Sequence, residues 1–350
     1  MRAQKEITIY DIAKEAGVSP ATVSRVINHY DQVTYKTRQK VIAAMNTLSF
    51  DLENYRVHTN SKTENRVVRK KNEQQLFVLS VPHLSNVFYL DIIDGAQTAA
   101  LKNGHHLLIN NTPIRELNSD IFLSTLKAHG VAGLITTETI PAQELEKIAS
   151  LFPIVQCSEY NDQVDNISYI AVDNIAAAYQ STRFFTRQGY KRIAFFTIET
   201  PQLFSNLRKR GYMMALSEAH IPFDPQFVKT FPDMDLNRSI QQAEIFLQTF
   251  SPEAIVCISD IYASATIRAA KNLKIHVPGQ LSIIGMDDLP IAAASTPSIS
   301  TIRQYRYEIG YASFECLLEE YLHPAAKKRH VFLDTELVLR ESTLPARTDT

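Results

Sequence analysis

Apolar positions recur at different spacings along the chain, and the spacing changes twice. Over residues 7–50, apolar side chains return every three or four positions, which predicts short amphipathic helices. Residues 51–75 carry many charges and no hydrophobic periodicity, which predicts a solvated linker. From residue 76 to residue 345, short apolar runs alternate with helical patterns. We therefore expect a helical head at 1–50, a linker at 51–75 and a larger body at 76–345.

The head is predicted to contain three helices joined by tight connections. One face of the first helix would be buried, namely Ile9, Ile12, Ala13 and Ala16. Thr8 can cap its start, and Gly17 follows its end, where a left-handed stop prefers glycine. Ser19 can cap the second helix, with Pro20 at the first position, where a missing N–H costs nothing. Thr34 can cap the third helix.

The second helix has two different faces. Its apolar face and that of the third helix would form the core of the head, through Val23, Val26, Ile27, Val41, Ile42, Met45 and Leu48. Its other face is small, polar and basic, with Ala21, Thr22, Ser24, Arg25 and Asn28. A helix in the major groove needs short side chains for close approach and Arg or Asn to read base edges. Composition alone fits equally well a three-helix bundle with a solvated face.

The order helix, glycine turn, helix is that of the helix-turn-helix motif. The string IYDIAKEAGVSPATVSRVIN resembles the N-terminal headpiece of the lactose-repressor (LacI/GalR) family of bacterial transcription regulators, and VTYKTRQKVIAAMNTLSF resembles its third helix. The resemblance implies that Arg25 and Asn28 read bases, whereas Tyr10, Ser19, Thr22 and Ser24 hold phosphates. The complete set expected at DNA is Thr8, Tyr10, Ser19, Pro20, Ala21, Thr22, Ser24, Arg25, Asn28, Gln32 and Thr34.

The linker departs from the pattern of that family. Typical members carry a hinge helix of the form Asn-x-x-Ala-Arg-x-Leu, whose leucines wedge into the minor groove. Residues 51–75 contain no match, and the nearest segment is Tyr55, Arg56 and Val57. We therefore expect loosely tethered heads that tolerate variable spacing between the two halves of a DNA site.

The body is predicted to have an α/β fold with two parallel-sheet subdomains. Apolar runs predict strands at 76–81, 106–110, 131–136, 153–157, 192–198, 254–259 and 281–286, with helices such as 88–102 between them. Strings such as VDNIAAA, VPGQLSIIGMDDLP and PSISTIRQ resemble the periplasmic-binding-protein-like body of the same family. RQYRYEIGYASFECLLEEY and FDPQFV are similar to its cytidine-repressor branch. The expected subdomains are 76–171 with 304–323, and 172–303 with 330–340.

A ligand is expected in the cleft at the carboxyl ends of the strands. The resemblance implies that Phe88 and Tyr89 cover this ligand and that Arg208 binds its polar groups, with Phe204 and Glu159 on the same rim. Asp260 and Asp287 each follow a strand and could accept hydrogen bonds from the ligand, although Asp260 could instead cap the next helix and Asp287 a turn. These residue types suit a nucleoside, a purine or a sugar.

Charge is distributed unevenly along the chain. Residues 1–75 hold 13 Lys and Arg against 8 Asp and Glu, a net charge of +5, so the remainder carries −6 of the total of −1. A basic head on an acidic body fits a head that meets DNA phosphates. Because the excess is modest, we expect two heads to act together in a homodimer on palindromic double-stranded DNA, with a second DNA-bound regulator as a further possible partner.

Rival functions lack their sequence signatures. No G-x-G-x-x-G follows the first strand, and no P-loop, G-x-S-x-G or H-E-x-x-H occurs, so an enzyme with catalytic residues is not expected. A transported binding protein would need an export signal, whereas the start MRAQKEITIY is polar. Cys157, Cys257 and Cys316 are predicted to be buried free thiols in the cytoplasm. Neither a metal nor a cofactor is expected, because no Cys/His cluster has zinc spacing.

Overall fold

The computed structural model describes residues 9–19, 22–23, 26, 35–48, 50, 74–114, 119–200 and 202–344. The chain divides into two compact units, Met1–Lys70 and Lys71–Thr350. The first unit contains the predicted head, and the second contains the predicted body. The expected linker residues 51–73, including Tyr55, Arg56 and Val57, lie outside the described residues.

The head folds around the predicted apolar stripes. Helix α1 is Ile9–Ala16, and the predicted third helix is α2, Tyr35–Thr47. Their packed core consists of Ile12, Ala13, Val23, Val26, Val41 and Ala44. Gly17 has a φ of +65°, the left-handed conformation predicted for the end of α1. The Ser19 hydroxyl accepts a hydrogen bond from the Thr22 N–H at 3.2 Å, which is the predicted cap of the second helix.

The first half of the body is a six-stranded sheet in the order β11-β5-β4-β3-β1-β2. Its strands are β1 (Leu76–Ser80), β2 (His106–Asn110), β3 (Val131–Thr136), β4 (Ile154–Cys157), β5 (Ser168–Val172) and β11 (His330–Leu333). Its helices are α3 (Phe88–Lys102), α4 (Ser119–Ala128), α5 (Ala142–Ala149) and α11 (Arg306–Leu322). The paired strands run parallel, as predicted for this class.

The second half is another six-stranded sheet, in the order β12-β10-β9-β8-β6-β7. Its strands are β6 (Ile193–Ile198), β7 (Val228–Phe231), β8 (Ala254–Cys257), β9 (Ser282–Asp287), β10 (Ser300–Gln304) and β12 (Thr335–Val338). Its helices are α6 (Asn174–Arg187), α7 (Leu203–Glu218), α8 (Leu236–Phe250), α9 (Asp260–Asn272) and α10 (Pro290–Ala294). A 3-10 turn, Pro225–Phe227, precedes β7. Only β12 runs antiparallel to its neighbour, β10, among the described pairs.

The chain crosses between the two halves three times, and one predicted boundary is corrected. The crossings lie at Asp173, between β5 and α6, at Tyr305, between β10 and α11, and at Asp334, between β11 and β12. Residues 330–340 were expected in the second half, but 330–333 form β11 of the first sheet. The cause is the alternation in β11, which buries Val331 and Leu333 in the core of the first half.

Helices α3 and α11 of the first half approach each other at two glycines. A Cβ atom at Gly310 would lie 2.0 Å from the carbonyl oxygen of Ile92, and one at Gly95 would lie 2.0 Å from that of Tyr307. Both obstacles are helical backbone, which cannot move aside as a flexible side chain can. The return of the chain into the first half therefore depends on the absence of side chains at these two positions.

We predict that Gly310→Ala lowers the free energy of unfolding by about 2–3 kcal/mol, because it forces the two helices apart. Urea denaturation of the purified protein measures this change. Gln97→Ala, on the exposed face of α3, is the matched control and should stay within about 0.5 kcal/mol of the wild type. Equal stability of the Gly310 variant and the control would contradict the close approach.

Candidate functional site

The carboxyl ends of the strands in the two halves of the body face each other across a cleft. Hydrogen bonds span this cleft directly: the Thr139 N–H of the first half donates to the Gln202 side chain of the second at 2.7 Å. Such a cleft is where open parallel sheets bind their ligands. The polar residues that follow β3, β4, β8 and β9 all lie beside it.

Arg208 on α7 is the buried cation of the cleft, with only 5% of its surface exposed. Its Nε donates to the Asn174 side chain at 2.7 Å, and its Nη1 donates to the carbonyl of Ile258 at 2.5 Å. The same Nη1 lies 3.6 Å from Oδ1 of Asp287. Burial lowers the pKa of Arg208, while the carboxylates of Asp287, Glu159 and Asp260 oppose that shift.

Asp287 ends β9 and is held by several donors. Its Oδ1 accepts a hydrogen bond from the Gln304 amide at 2.7 Å, and its backbone carbonyl accepts one from Arg306. Its φ of +105° is a conformation that residues other than glycine rarely adopt. Burial raises the pKa of Asp287, and Arg208 and Arg306 counteract part of that rise. The strained backbone therefore directs this carboxylate toward Arg208.

Asp260 has a structural environment that differs from the predicted ligand contact. Its side chain is fully buried, with Oδ1 accepting from Thr301 Oγ1 at 2.6 Å and Oδ2 accepting from the Leu289 N–H at 2.7 Å. Close packing on β9 requires Gly285, where a Cβ would lie 2.1 Å from Oδ1. The alternative of a helix cap is also corrected, because Ser259 is the N-cap of α9. Asp260 thus ties α9 to the neighbouring strands.

Glu159 of the first half caps a helix of the second half. Its Oε2 accepts hydrogen bonds from the Leu203 N–H at 3.0 Å, the Phe204 N–H at 3.3 Å and the Thr139 hydroxyl at 3.0 Å. Gln202, the N-cap residue of α7, provides no side-chain cap of its own. Burial raises the pKa of Glu159 to about 7, although these hydrogen bonds and Arg208 favour the charged form. The carboxylate therefore completes α7 only when the two halves are together.

Aromatic rings lie beside these charges. The guanidinium of Arg208 is 4.8 Å from the ring centre of Phe204, and that of Arg306 is 5.9 Å from the ring centre of Phe88. Phe88 and Tyr89 meet edge to face at 5.4 Å. Burial raises the pKa of Tyr89, with further contributions from Glu159, Glu138 and Asp287. Tyr89 is therefore a neutral hydroxyl close to carboxylates of both halves.

Two buried polar atoms next to Asp287 lack a hydrogen-bond partner within the described part of the chain. They are the Oε1 atom of Gln304 and the Nε atom of Arg306. Other atoms of the same side chains are engaged, since Arg306 also donates to Asp91 at 2.5 Å. A buried acceptor and a buried donor without partners are unusual and indicate the position of an additional bound group.

The structure brings the predicted cleft residues into one region. Electrostatic interactions link Tyr89, Glu159, Arg208, Asp260 and Asp287, and ring contacts add Phe88 and Phe204. Sequence reasoning missed a further set: Asp91, Glu138, Thr139, Asn174, Gln202, Gln304 and Arg306. Glu138 and Thr139 follow the predicted strand 131–136 and could have been found by the rule that identified Asp287. The position of Arg306 depends on the second crossing and has no local signal.

Most of the predicted DNA contacts lie outside what the structure describes. Pro20, Ala21, Ser24, Arg25, Asn28, Gln32, Thr34 and Thr8 are outside the described residues, as is the side chain of Tyr10. Ser19 and Thr22 are described, and their hydroxyl groups lie 2.9 Å apart at the start of the second helix. This places two small hydroxyl side chains together at a helix N-terminus, a position that suits a phosphate oxygen.

The remaining chemical groups agree with a binding protein. The three cysteines are buried free thiols, as predicted. Within the described ranges, no His, Cys, Asp and Glu side chains cluster so as to hold a metal ion. None of the helices that the structure describes is long and apolar enough to cross a membrane.

Comparison with known families assigns both units. Residues 8–51 match the family described as bacterial regulatory proteins, lacI family, and residues 182–343 match the periplasmic binding protein-like domain. The regulator DegA of Bacillus subtilis (strain 168) is 30% identical over 346 residues, which are 97% of this chain and 99% of the relative. The repressor CytR of Escherichia coli (strain K12) is 28% identical over 98% of this chain and 99% of the relative. These nearly equal identities do not single out the cytidine-repressor branch.

Solved structures share the fold over nearly the whole chain. A dimer of the Lac repressor bound to operator and the anti-inducer ONPF has a TM-score of 0.70 at 23% identity, covering 97% of this chain and 100% of that chain. A complex of the regulator CelR with cellobiose has a TM-score of 0.69 at 23% identity, covering 96% of this chain and 99% of that chain. The chain therefore belongs to the LacI family of DNA-binding transcription regulators, and it is not an enzyme.

Proposed function

We propose that this regulator is a cytoplasmic repressor that binds a near-palindromic operator as a homodimer and responds to a small molecule in the cleft. The observation that carries the proposal is the convergence of Tyr89, Glu159, Arg208 and Asp287 between the two halves of the body. The relatives support it, because CytR is a repressor and the Lac repressor structure is a dimer on its operator.

The effector is proposed to be a small cyclic molecule with polar groups. The rings of Phe204 and Tyr89 can contact a flat face, while Arg208, Asp287 and Gln304 can bind hydroxyl or amide groups. A nucleoside such as cytidine is our first candidate because CytR is among the relatives, and a purine or a sugar such as the cellobiose of the CelR complex is the alternative.

Regulation is proposed to act through the angle between the two halves. Hydrogen bonds from Thr139 and Glu159 to α7 hold the halves together in the described conformation. An effector that binds one cleft angle better than another shifts the population toward that angle. Since the linker has no hinge-helix sequence, this shift can reach DNA through the spacing of the two heads or through a second DNA-bound regulator.

Two measurements test this function together. Selection of bound duplexes from a random DNA library should return a sequence with two inverted half-sites. Thermal-shift screening against nucleosides, purines and sugars should return a ligand that raises the melting temperature by mass action and changes affinity for the selected DNA. A selected site without inverted symmetry would contradict the dimer, and a ligand that leaves DNA affinity unchanged would contradict effector control.

Arg25→Ala is predicted to weaken binding to the best operator by about 1–3 kcal/mol and to relax specificity at one base position. The reason is that a guanidinium bound to a base edge discriminates among bases. Fluorescence anisotropy on the operator and on single-base variants measures both effects. Lys40→Ala, an exposed charge on α2, is the control that should weaken all duplexes alike. Uniform weakening by Arg25→Ala would identify a phosphate contact instead.

Asp287→Asn is predicted to weaken effector binding by about 2–3 kcal/mol, roughly a hundredfold, because it removes the carboxylate beside Arg208 while keeping the size of the side chain. Operator affinity without effector should stay at the wild-type value, since the head is a separate compact unit. Calorimetry with the effector and anisotropy with the operator measure the two quantities. Asp94→Asn, on the exposed side of α3, is the matched control. Wild-type effector affinity in the Asp287 variant would assign that residue a purely structural role.

Glu159→Gln is predicted to change how stability depends on pH. Burial raises the pKa of Glu159 from 4.5 to about 7, so the folded protein holds this proton more tightly than the unfolded chain does. The resulting stabilisation is present below about pH 4.5 and is lost as the pH rises through about 7. Relative to the glutamine variant, the wild type should therefore lose up to about 3 kcal/mol over this range.

Urea denaturation of both proteins between about pH 5 and about pH 8 measures this difference. Glu146→Gln, which removes an exposed carboxylate from α5, controls for a general effect of charge. If the stability of the Glu159 variant runs parallel to that of the wild type across this range, Glu159 does not titrate in the folded protein.

A further inference from the structure

The cleft contains more buried negative than positive charge. Arg208 interacts with three carboxylates, those of Asp287, Glu159 and Asp260, and each of the four residues is at least nine-tenths buried. Glu138, also buried, adds to the negative field that acts on Tyr89 together with Glu159 and Asp287. The other buried guanidinium, that of Arg306, is paired with Asp91. A ligand entering here meets a negative potential in a poorly solvated environment, where it is weakly screened.

The groups that ordinarily bind anions are engaged by the protein itself. The first N–H groups of α7, which point toward the cleft, already donate to the Glu159 carboxylate. The Nε and Nη1 atoms of Arg208 donate to Asn174 and Ile258, and Asp287 lies next to the guanidinium. A phosphate or carboxylate would therefore have to displace an existing carboxylate before it found a positive partner.

The unpartnered atoms favour a different kind of ligand. Gln304 Oε1 requires a donor and Arg306 Nε requires an acceptor, and both are buried beside Asp287. A hydroxyl group can be both donor and acceptor, whereas an ionised phosphate oxygen can only accept. An amino group could also donate to these carboxylates without adding negative charge.

We infer that the cleft selects effectors that donate hydrogen bonds and carry no negative charge, and that Glu159 is a residue that determines this selection. The inference rests on the proposed effector function of the cleft. It assigns to Glu159 the role of a built-in anion at the start of α7, which excludes phosphorylated relatives of an otherwise acceptable nucleoside or sugar.

Matched pairs of ligands test the inference on the full-length protein. The pairs are cytidine with cytidine monophosphate, ribose with ribose phosphate, glucose with glucose phosphate and glucose with glucosamine, measured by thermal shift and then by calorimetry. In each pair that binds, the phosphorylated member should be weaker by roughly a hundredfold or more, because like charges meet in a buried site. Glucosamine should bind at least as well as glucose.

Variants separate charge from shape. Glu159→Gln should narrow the gap between neutral and phosphorylated members by roughly tenfold, because one nearby negative charge is gone. Glu159→Asp keeps the charge and should preserve the discrimination against phosphate, and Glu146→Gln on exposed α5 should leave the ratio unchanged. Asp287→Asn gives a second, independent loss of charge should the first variant be unstable.

The outcomes distinguish this inference from the proposed function. A phosphorylated ligand that binds the wild type as tightly as its neutral partner would overturn the charge selection while supporting an effector site. An unchanged ratio in both Glu159→Gln and Asp287→Asn would also overturn it. If no ligand of the panel binds the wild type or any variant, the proposed effector function of the cleft is itself contradicted.

Discussion

The buried guanidinium of Arg208 is the interaction on which the arrangement of the cleft depends. A cation removed from water is stable only when charges and hydrogen-bond acceptors surround it. Arg208 obtains them from α6 through Asn174, from the end of β8 through the Ile258 carbonyl and from β9 through Asp287. These elements are therefore fixed relative to one another, and the second half presents a preformed polar surface to the first.

Closure of the two halves is coupled to the start of one helix. The first N–H groups of a helix need acceptors that the helix cannot provide. For α7 the acceptor is Glu159 of the other half, together with the Thr139 hydroxyl, which accepts from Leu203 at 3.1 Å. Separating the halves would expose these groups to water, so the first turn of α7 is sensitive to the state of the cleft.

The sequence predicted what continuous apolar runs specify and missed what depends on distant partners. Helix α3 lies at the predicted 88–102, because its apolar spacing is regular. Strand β11 was not predicted, since His330 and Phe332 are exposed at the edge of the sheet and leave only two buried positions. Asp260 follows a strand just as Asp287 does, yet only the structure shows that its oxygen atoms bind Thr301 and Leu289. The partner of Glu159 is 44 residues away, beyond any local pattern.

The three crossings connect the ligand groups directly to the motion that regulation requires. Each crossing between regular elements is a single residue, namely Asp173, Tyr305 or Asp334. Asn174, which binds Arg208, follows the first crossing, while Gln304 and Arg306, which bind Asp287, flank the second. Hinges are a few residues at the ends of elements that absorb changes in backbone angle. Because these hinges adjoin residues that hold Arg208 and Asp287, a ligand that shifts either side chain also acts on the angle between the halves, without a long pathway through the core.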